Sequence, residues 1–206
     1  MSSDPQEPNP GSALTQLDRA LAAVTELING IRDDQWDAPT PCTDWAVRDV
    51  VLHLDGTNRV ITALLTDQPL PERPSDPRRA VPDPVAAFHA SAVALSAAFA
   101  QPGVLDRVMA GPLGSASGAD RLRLRIADLL AHGWDLAQAT GQPAALPEDL
   151  ARRSLEFSRG LLTDAARPGR FAPAQPVAEN APAIDRLVAF LGRRVPAARS
   201  QPPPAS

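Results

Sequence analysis

Apolar residues at helical spacing, with proline clustered in the gaps between those stretches, constrain this chain more than any other feature. Leu14, Leu17, Leu21, Val24, Ile28 and Ile31 recur at steps of three and four, the stripe of an amphipathic helix. The prolines of the following DDQWDAPTPC stop it. A second helix is expected from Thr43 or Asp44, either of which can cap it. Val47, Val50, Val51 and Leu54 form its stripe, and it runs on through Val60, Ile61, Leu64 and Leu65, with Gly56 as its weak point. Residues 67–84 carry six prolines and read as a long irregular connection, a candidate lid. Asp83 followed by Pro84 caps and opens a third helix, with Val85, Phe88, Ala92, Leu95 and Phe99 facing inward. The glycine-punctuated stretch from Gly103 to Gly118 fits a short strand or hairpin. A fourth helix spans about Ala119 to Thr140 and stops at Gly141. Pro147, Glu148 and Asp149 start a fifth (LPEDLARRSLEFSRGLLTDAA), and Pro182 a shorter sixth with Ile184, Leu187, Val188 and Leu191. Four long helices and a C-terminal pair predict an all-α bundle over residues 12–195. Residues 1–11 and 196–206, rich in Pro, Ser and Gln, are expected to be disordered tails.

Charge and cysteine content exclude several function classes. At 206 residues the chain suffices for one well-cored domain. A net charge of -4 supplies no field for capturing nucleic acid or anionic lipid. All 20 basic residues are arginine, which reflects coding bias and not a nucleic-acid surface. Cys42 is the sole cysteine, so there is no internal disulfide framework and no cysteine-rich zinc module. The start lacks a signal-peptide pattern, and no apolar run approaches the roughly 18–20 residues that span a bilayer. The expected location is the cytoplasm, with neither nucleic acid nor membrane as a partner.

The chemistry concentrates in DLLAHGWDLAQATG, residues 128–141. Asp128 and His132 stand four apart on a helix, so their side chains share a face at about 5–6 Å between Cβ atoms, a chelating distance. His53, in VVLHLDG on another helix, borders an apolar stripe and is the best third ligand, although a lone histidine there is more often a hydrogen-bonded core residue. Arg121, Arg125, Asp128, His132 and Asp135 form one face, which reads either as solvated or as buried between its apolar flanks. On the first view Arg125 pairs with Asp128 on a solvated surface; the less favoured alternative is that Arg121 and Arg125 hold an anionic substrate. Asp135 either orients the His132 imidazole or caps solvent. His89 has no acid at chelating spacing and reads as structural. Cys42, near a helix start but with no base beside it, reads as a turn residue.

PTPCTDWAVRDVVLHL, followed far downstream by RIADLLAHGWDLAQATGQ and by the closing APAIDRLVAFLGRRVP, resembles the metal-binding domain of mycothiol-dependent maleylpyruvate isomerases. These are helical bundles of the DinB-like superfamily, and the likeness spans about residues 13–196, that of a single-domain relative. It implies a DinB-like four-helix bundle with additional C-terminal helices. It also implies a divalent ion, zinc in the isomerase, held by a histidine on the second helix and an acid-x-x-x-histidine pair on a later one. On this chain those are His53, Asp128 and His132. Aspartate stands where glutamate is common, and the isomerase's extra C-terminal domain has no counterpart, so metal binding carries over better than the substrate.

Three protein ligands leave an open position, the pattern of catalytic zinc. The expected function is thus a zinc-dependent transferase or isomerase that uses a thiol such as mycothiol. Its partners are a small-molecule thiol and an electrophilic substrate, and a homodimer is compatible with the sequence. A two-histidine, one-carboxylate set also matches non-haem Fe(II) oxygenases, although their ligands usually project from strands. The rival from another class is a non-catalytic bundle whose metal serves stability or partner binding.

Overall fold

A computed structural model describes residues 10–72, 74–111, 114–162, 167 and 172–196. Of the predicted tails 1–11 and 196–206, residues 1–9 and 197–206 lie outside that range, whereas Pro10 and Gly11 belong to the first helix. The molecule is all-α, as the periodicity requires. Helix α1 (Pro10–Asn29) buries Leu17, Ala20, Leu21, Val24 and Ile28.

Helix α2 spans Val47–Leu65 and starts later than Thr43 or Asp44 predict. A tight turn occupies those positions. Asp44 adopts a positive φ of 67°, the Trp45 N–H donates to the Cys42 carbonyl at 3.0 Å, and Pro39 bridges Ala46. The cap comes from inside the helix, where Asp49 Oδ2 reaches back to accept the Ala46 N–H at 3.0 Å. Gly56 leaves the helix unbroken.

The proline-rich connection contains a short helix that the pattern did not announce, α3 (Pro77–Ala80), capped by Asp76. Its Arg78 Nε donates to Asp49 Oδ1 at 2.8 Å, which pins this segment to the start of α2. Helix α4 (Pro84–Phe99) begins as expected, with Asp83 Oδ1 accepting the Ala86 N–H at 2.9 Å. The hairpin is present as β1 (Val108–Met109) and β2 (Ala116–Ser117), antiparallel, with Val108 opposite Ser117.

Helix α5 (Gly118–Thr140) follows, opened by Ser117 and closed by Gly141 at φ 69°. Helices α6 (Glu148–Leu161) and α7 (Ala183–Phe190) complete the order. The fifth helix thus ends at Leu161; the Thr163–Ala166 end of the sequence pattern lies outside the described residues.

Helix α2 packs mainly on α4, and α1 on α5; α6 and α7 pack on each other and on α5. Leu129, Leu130, Trp134 and Leu136 of α5 meet Leu17, Val24, Phe88 and Phe99 in one continuous core. Gly133 permits the α1–α5 approach, since a Cβ there would come within 3.1 Å of both Val24 and Leu146. Helix α5 is enclosed over most of its circumference, so its polar residues must find partners inside the protein. Among the described residues, no helix is long and apolar enough to cross a membrane.

Candidate metal centre

His53 lies in the second turn of α2, and Asp128 and His132 lie one turn apart on α5. The packing of α2 on α5 brings the three together. His53 Nε2 is 3.4 Å from Asp128 Oδ1, and His132 Nε2 is 3.5 Å from the same oxygen. One ligating atom from each residue lies within 4.8 Å of the other two. The side chains of His53 and Asp128 are 32% and 30% exposed and that of His132 is 8%, so the cluster opens to solvent on one side.

Two imidazole nitrogens and a carboxylate oxygen suit zinc or another borderline divalent ion. The rings are held by packing as well. The Trp45 indole lies nearly parallel to the His132 ring, with centroids 5.6 Å apart and planes 15° apart, and it meets the His53 ring at 4.9 Å.

Behind these three residues stands a layer of internal partners. Arg125 Nη1 grips the second oxygen of Asp128. Its side chain is fully buried; Nε donates to Asn58 Oδ1 and Nη2 to the Leu54 carbonyl, each at 2.9 Å. Arg121 is buried too, with Nη2 donating to the Met109 and Gly114 carbonyls of the hairpin. The solvated arginine face, and with it the anion-holding role, is therefore corrected: both guanidiniums are internal. The apolar flanks of the stripe prevail over its charge. Asp135 is likewise buried, and its Oδ2 lies 3.0 Å from His132 Nδ1. Of the two roles open to Asp135, the geometry selects the orienting one.

The electrostatics follow from these contacts. Burial alone would raise the Asp128 carboxyl. The hydrogen bond with His53, the neighbouring His132 and the Arg125 guanidinium outweigh it and hold Asp128 far below the usual carboxylate range. Burial also works upward on Asp135, where hydrogen bonds with His132 and Arg193 prevail and bring it below its ordinary value. At Cys42 burial pushes the thiol up; Arg193 works against this, and Asp135 and Asp128 add to it.

Cys42 does sit in the predicted turn, yet its Sγ also lies within 4.8 Å of ligating atoms of His132 and Asp135. His89 stands apart, edge-on to Phe88, and joins neither donor group found among the described residues. Two residues at the cluster are not among the expected site residues. Trp45 lies inside the quoted PTPCTDWAV segment, and in a chain with 4% aromatic residues it was the available signal. Arg193, whose fork closes on Asp135, lies inside the quoted APAIDRLVAFLGRRVP segment, but nothing local points to a partner 58 residues away.

The profile of the mycothiol maleylpyruvate isomerase N-terminal domain family matches residues 17–137. Uncharacterized proteins from two strains of Mycobacterium tuberculosis, CDC 1551 / Oshkosh and ATCC 25618 / H37Rv, are each 37% identical over 180 residues. The alignment covers 86% of this chain and 95% of theirs. The crystal structure of the mycothiol-dependent maleylpyruvate isomerase shares the fold, with a TM-score of 0.58 and 12% identity over 71% of this chain and 68% of that one.

Proposed function

The chain belongs to the mycothiol maleylpyruvate isomerase N-terminal domain family, and on that premise we propose that His53, Asp128 and His132 hold one divalent metal ion in a thiol-dependent transferase or isomerase. The observation that carries this reading is the convergence of two imidazoles and a carboxylate from two helices, His53 and Asp128 being 75 residues apart in sequence, at an opening in an otherwise packed bundle. Zinc bound there would supply Lewis acidity that keeps a low-molecular-weight thiol, mycothiol in the named family, as its thiolate near neutral pH.

The chain's own residues prepare the site. The His53 hydrogen bond, His132 and Arg125 together hold Asp128 ionised, and Arg125 fixes its second oxygen, which leaves Oδ1 facing both histidines. Asp135 engages His132 Nδ1, so a neutral ring carries its proton there and turns the Nε2 lone pair toward Asp128. Trp45 walls off one face of His132. His53 and Asp128 form the accessible rim, where a small thiol and its electrophilic partner can approach.

The test is metal per chain by elemental analysis after exposure to zinc, followed by a calorimetric titration with mycothiol. The wild-type protein and His89→Ala should carry close to one ion and bind the thiol. His132→Ala should lose most of the metal and the thiol binding while keeping its helicity by circular dichroism. Full occupancy in His132→Ala would overturn the assignment. Loss of helicity together with the metal would favour a structural site.

A further inference from the structure

Arg193 lies beyond the segment that the family profile covers, just past the end of α7. Its delivery to the cluster is encoded in the helix terminus. Gly192 takes a positive φ of 99°, its N–H donates to the Ala189 carbonyl at 3.0 Å, and the Arg193 N–H donates to the Val188 carbonyl at 2.9 Å. This pair of bonds is a Schellman closure, and it turns the chain back on itself directly after the helix.

A Cβ on residue 192 would lie 2.7 Å from Ala172 Cβ and 2.9 Å from its carbonyl oxygen, so the turn tolerates glycine alone. Helix α7 is itself anchored at both ends of its first turn. Glu148 Oε2 accepts the Ala183 N–H at 2.6 Å, and the Trp134 indole N–H donates to Asp185 Oδ1 at 2.9 Å.

From this terminus the Arg193 guanidinium reaches Asp135. Nη2 lies 2.9 Å from Oδ2 and Nε 3.3 Å from Oδ1, a two-pronged contact that fixes the plane of the carboxylate. The same Oδ2 is 3.0 Å from His132 Nδ1. A carboxylate held in one plane holds the ring in one rotamer, and the hydrogen bond at Nδ1 decides which nitrogen is left as a donor.

We propose that Arg193 is a positioning residue of the candidate metal centre: through Asp135 it locks the His132 imidazole with Nε2 turned toward Asp128 and His53. The α7 terminus thereby becomes part of the site, although it contributes no ligand. This inference rests on the metal-binding reading for its affinity arm alone.

The experiment has two arms on the full chain. Long-range ¹H–¹⁵N spectra of the three imidazoles in metal-free protein should show a proton on His132 Nδ1, held in its hydrogen bond with Asp135. Arg193→Met should lose that signature while retaining helicity, and Gly192→Ala should resemble it. In the second arm zinc ions compete with a chromophoric chelator. Arg193→Met should bind about 10- to 100-fold more weakly than wild type. Arg193→Lys, which keeps the charge but not the fork, should fall between.

An unchanged His132 signature and unchanged zinc affinity in Arg193→Met would overturn the proposal. If that variant loses its helicity, Arg193→Lys carries the test: an altered ring signature in a folded protein supports the proposal, and a wild-type signature with wild-type affinity overturns it. Absence of zinc binding by the wild-type protein would defeat the metal reading, and the spectral arm would still decide the role of Arg193.

Discussion

Asp128 differs from the two histidines beside it in what its loss does to the metal-free protein. Its Oδ2 is the carboxylate partner of Arg125, whose side chain is fully enclosed. Asp128→Asn removes that negative charge and strands a buried guanidinium. Breaking a buried ion pair from one side costs about 3–5 kcal/mol. Asp128 is 30% exposed, so water reaches it, and the amide retains a carbonyl acceptor for Arg125. Both effects reduce the cost to about 2–3 kcal/mol, the scale of a lost charged hydrogen bond plus incomplete desolvation. For a chain of this size that is a fall in Tm of about 5–10 °C.

The assay is urea unfolding followed by circular dichroism in chelator at pH 7, with midpoint and slope both fitted. His53→Ala, which strands no charge, should stay within about 1 kcal/mol of wild type. Arg125→Met and the double variant complete a cycle whose coupling should be about 2 kcal/mol. A cost below about 0.5 kcal/mol for Asp128→Asn, or a coupling near zero, would refute the assignment of Asp128 as the internal counter-charge of Arg125.

Acid should unfold the protein in a way that Asp49 helps to set. The Arg78 hydrogen bond holds the Asp49 carboxyl below its ordinary value against the upward effect of burial, so this contribution is present above about pH 4 and is lost as pH falls through the folded value. Asp49→Asn should lower Tm at pH 7 and flatten the decline between pH 5 and pH 3; a wild-type Tm that holds constant over that range contradicts the linkage. Gly141→Ala should cost about 1–2 kcal/mol by urea unfolding, since φ is 69° and the added methyl meets nothing within 4 Å, which leaves backbone strain as the whole effect. Leu130→Ala, at a wholly buried position in the centre of α5, should cost about 2–5 kcal/mol, and a loss under 1 kcal/mol would mean that the bundle is less tightly packed there than the structure describes.

The parts of this molecule that the sequence revealed are those governed by helical geometry alone. Asp128 and His132 share a face because 3.6 residues make a turn, and the Asp83–Pro84 and Gly141 boundaries follow from side-chain capping and from glycine's access to positive φ. The start of α2 departs from the Thr43–Asp44 expectation because its cap is a reach-back from Asp49 after a turn. Thr43 and Asp44 looked suitable, yet the Thr40–Trp45 turn had already claimed that stretch: the Thr40 hydroxyl donates to the Trp45 carbonyl at 2.9 Å. Helix α3 leaves no mark in the sequence pattern, since four residues carry no periodicity.

The polar stripe of α5 shows why the rest was hidden. Charged residues on one helix face ordinarily mark solvent, and the apolar residues on both flanks argued the reverse. Tertiary context decided, because every member of the stripe meets a partner on another part of the chain. Arg121 engages the hairpin, Arg125 the backbone and Asn58 of α2, Asp128 the His53 ring, His132 the Trp45 indole, and Asp135 the Arg193 guanidinium of the turn after α7. Local spacing reveals that five polar side chains line up; it carries no information about the partners that other elements bring to them. The stripe is therefore both the seam that joins the hairpin, α2 and the C-terminal turn to α5, and the ground on which the donor cluster is built. Substitutions along it should accordingly couple stability to the geometry at His132, whereas substitutions of equal size on the Leu130 side should change stability alone.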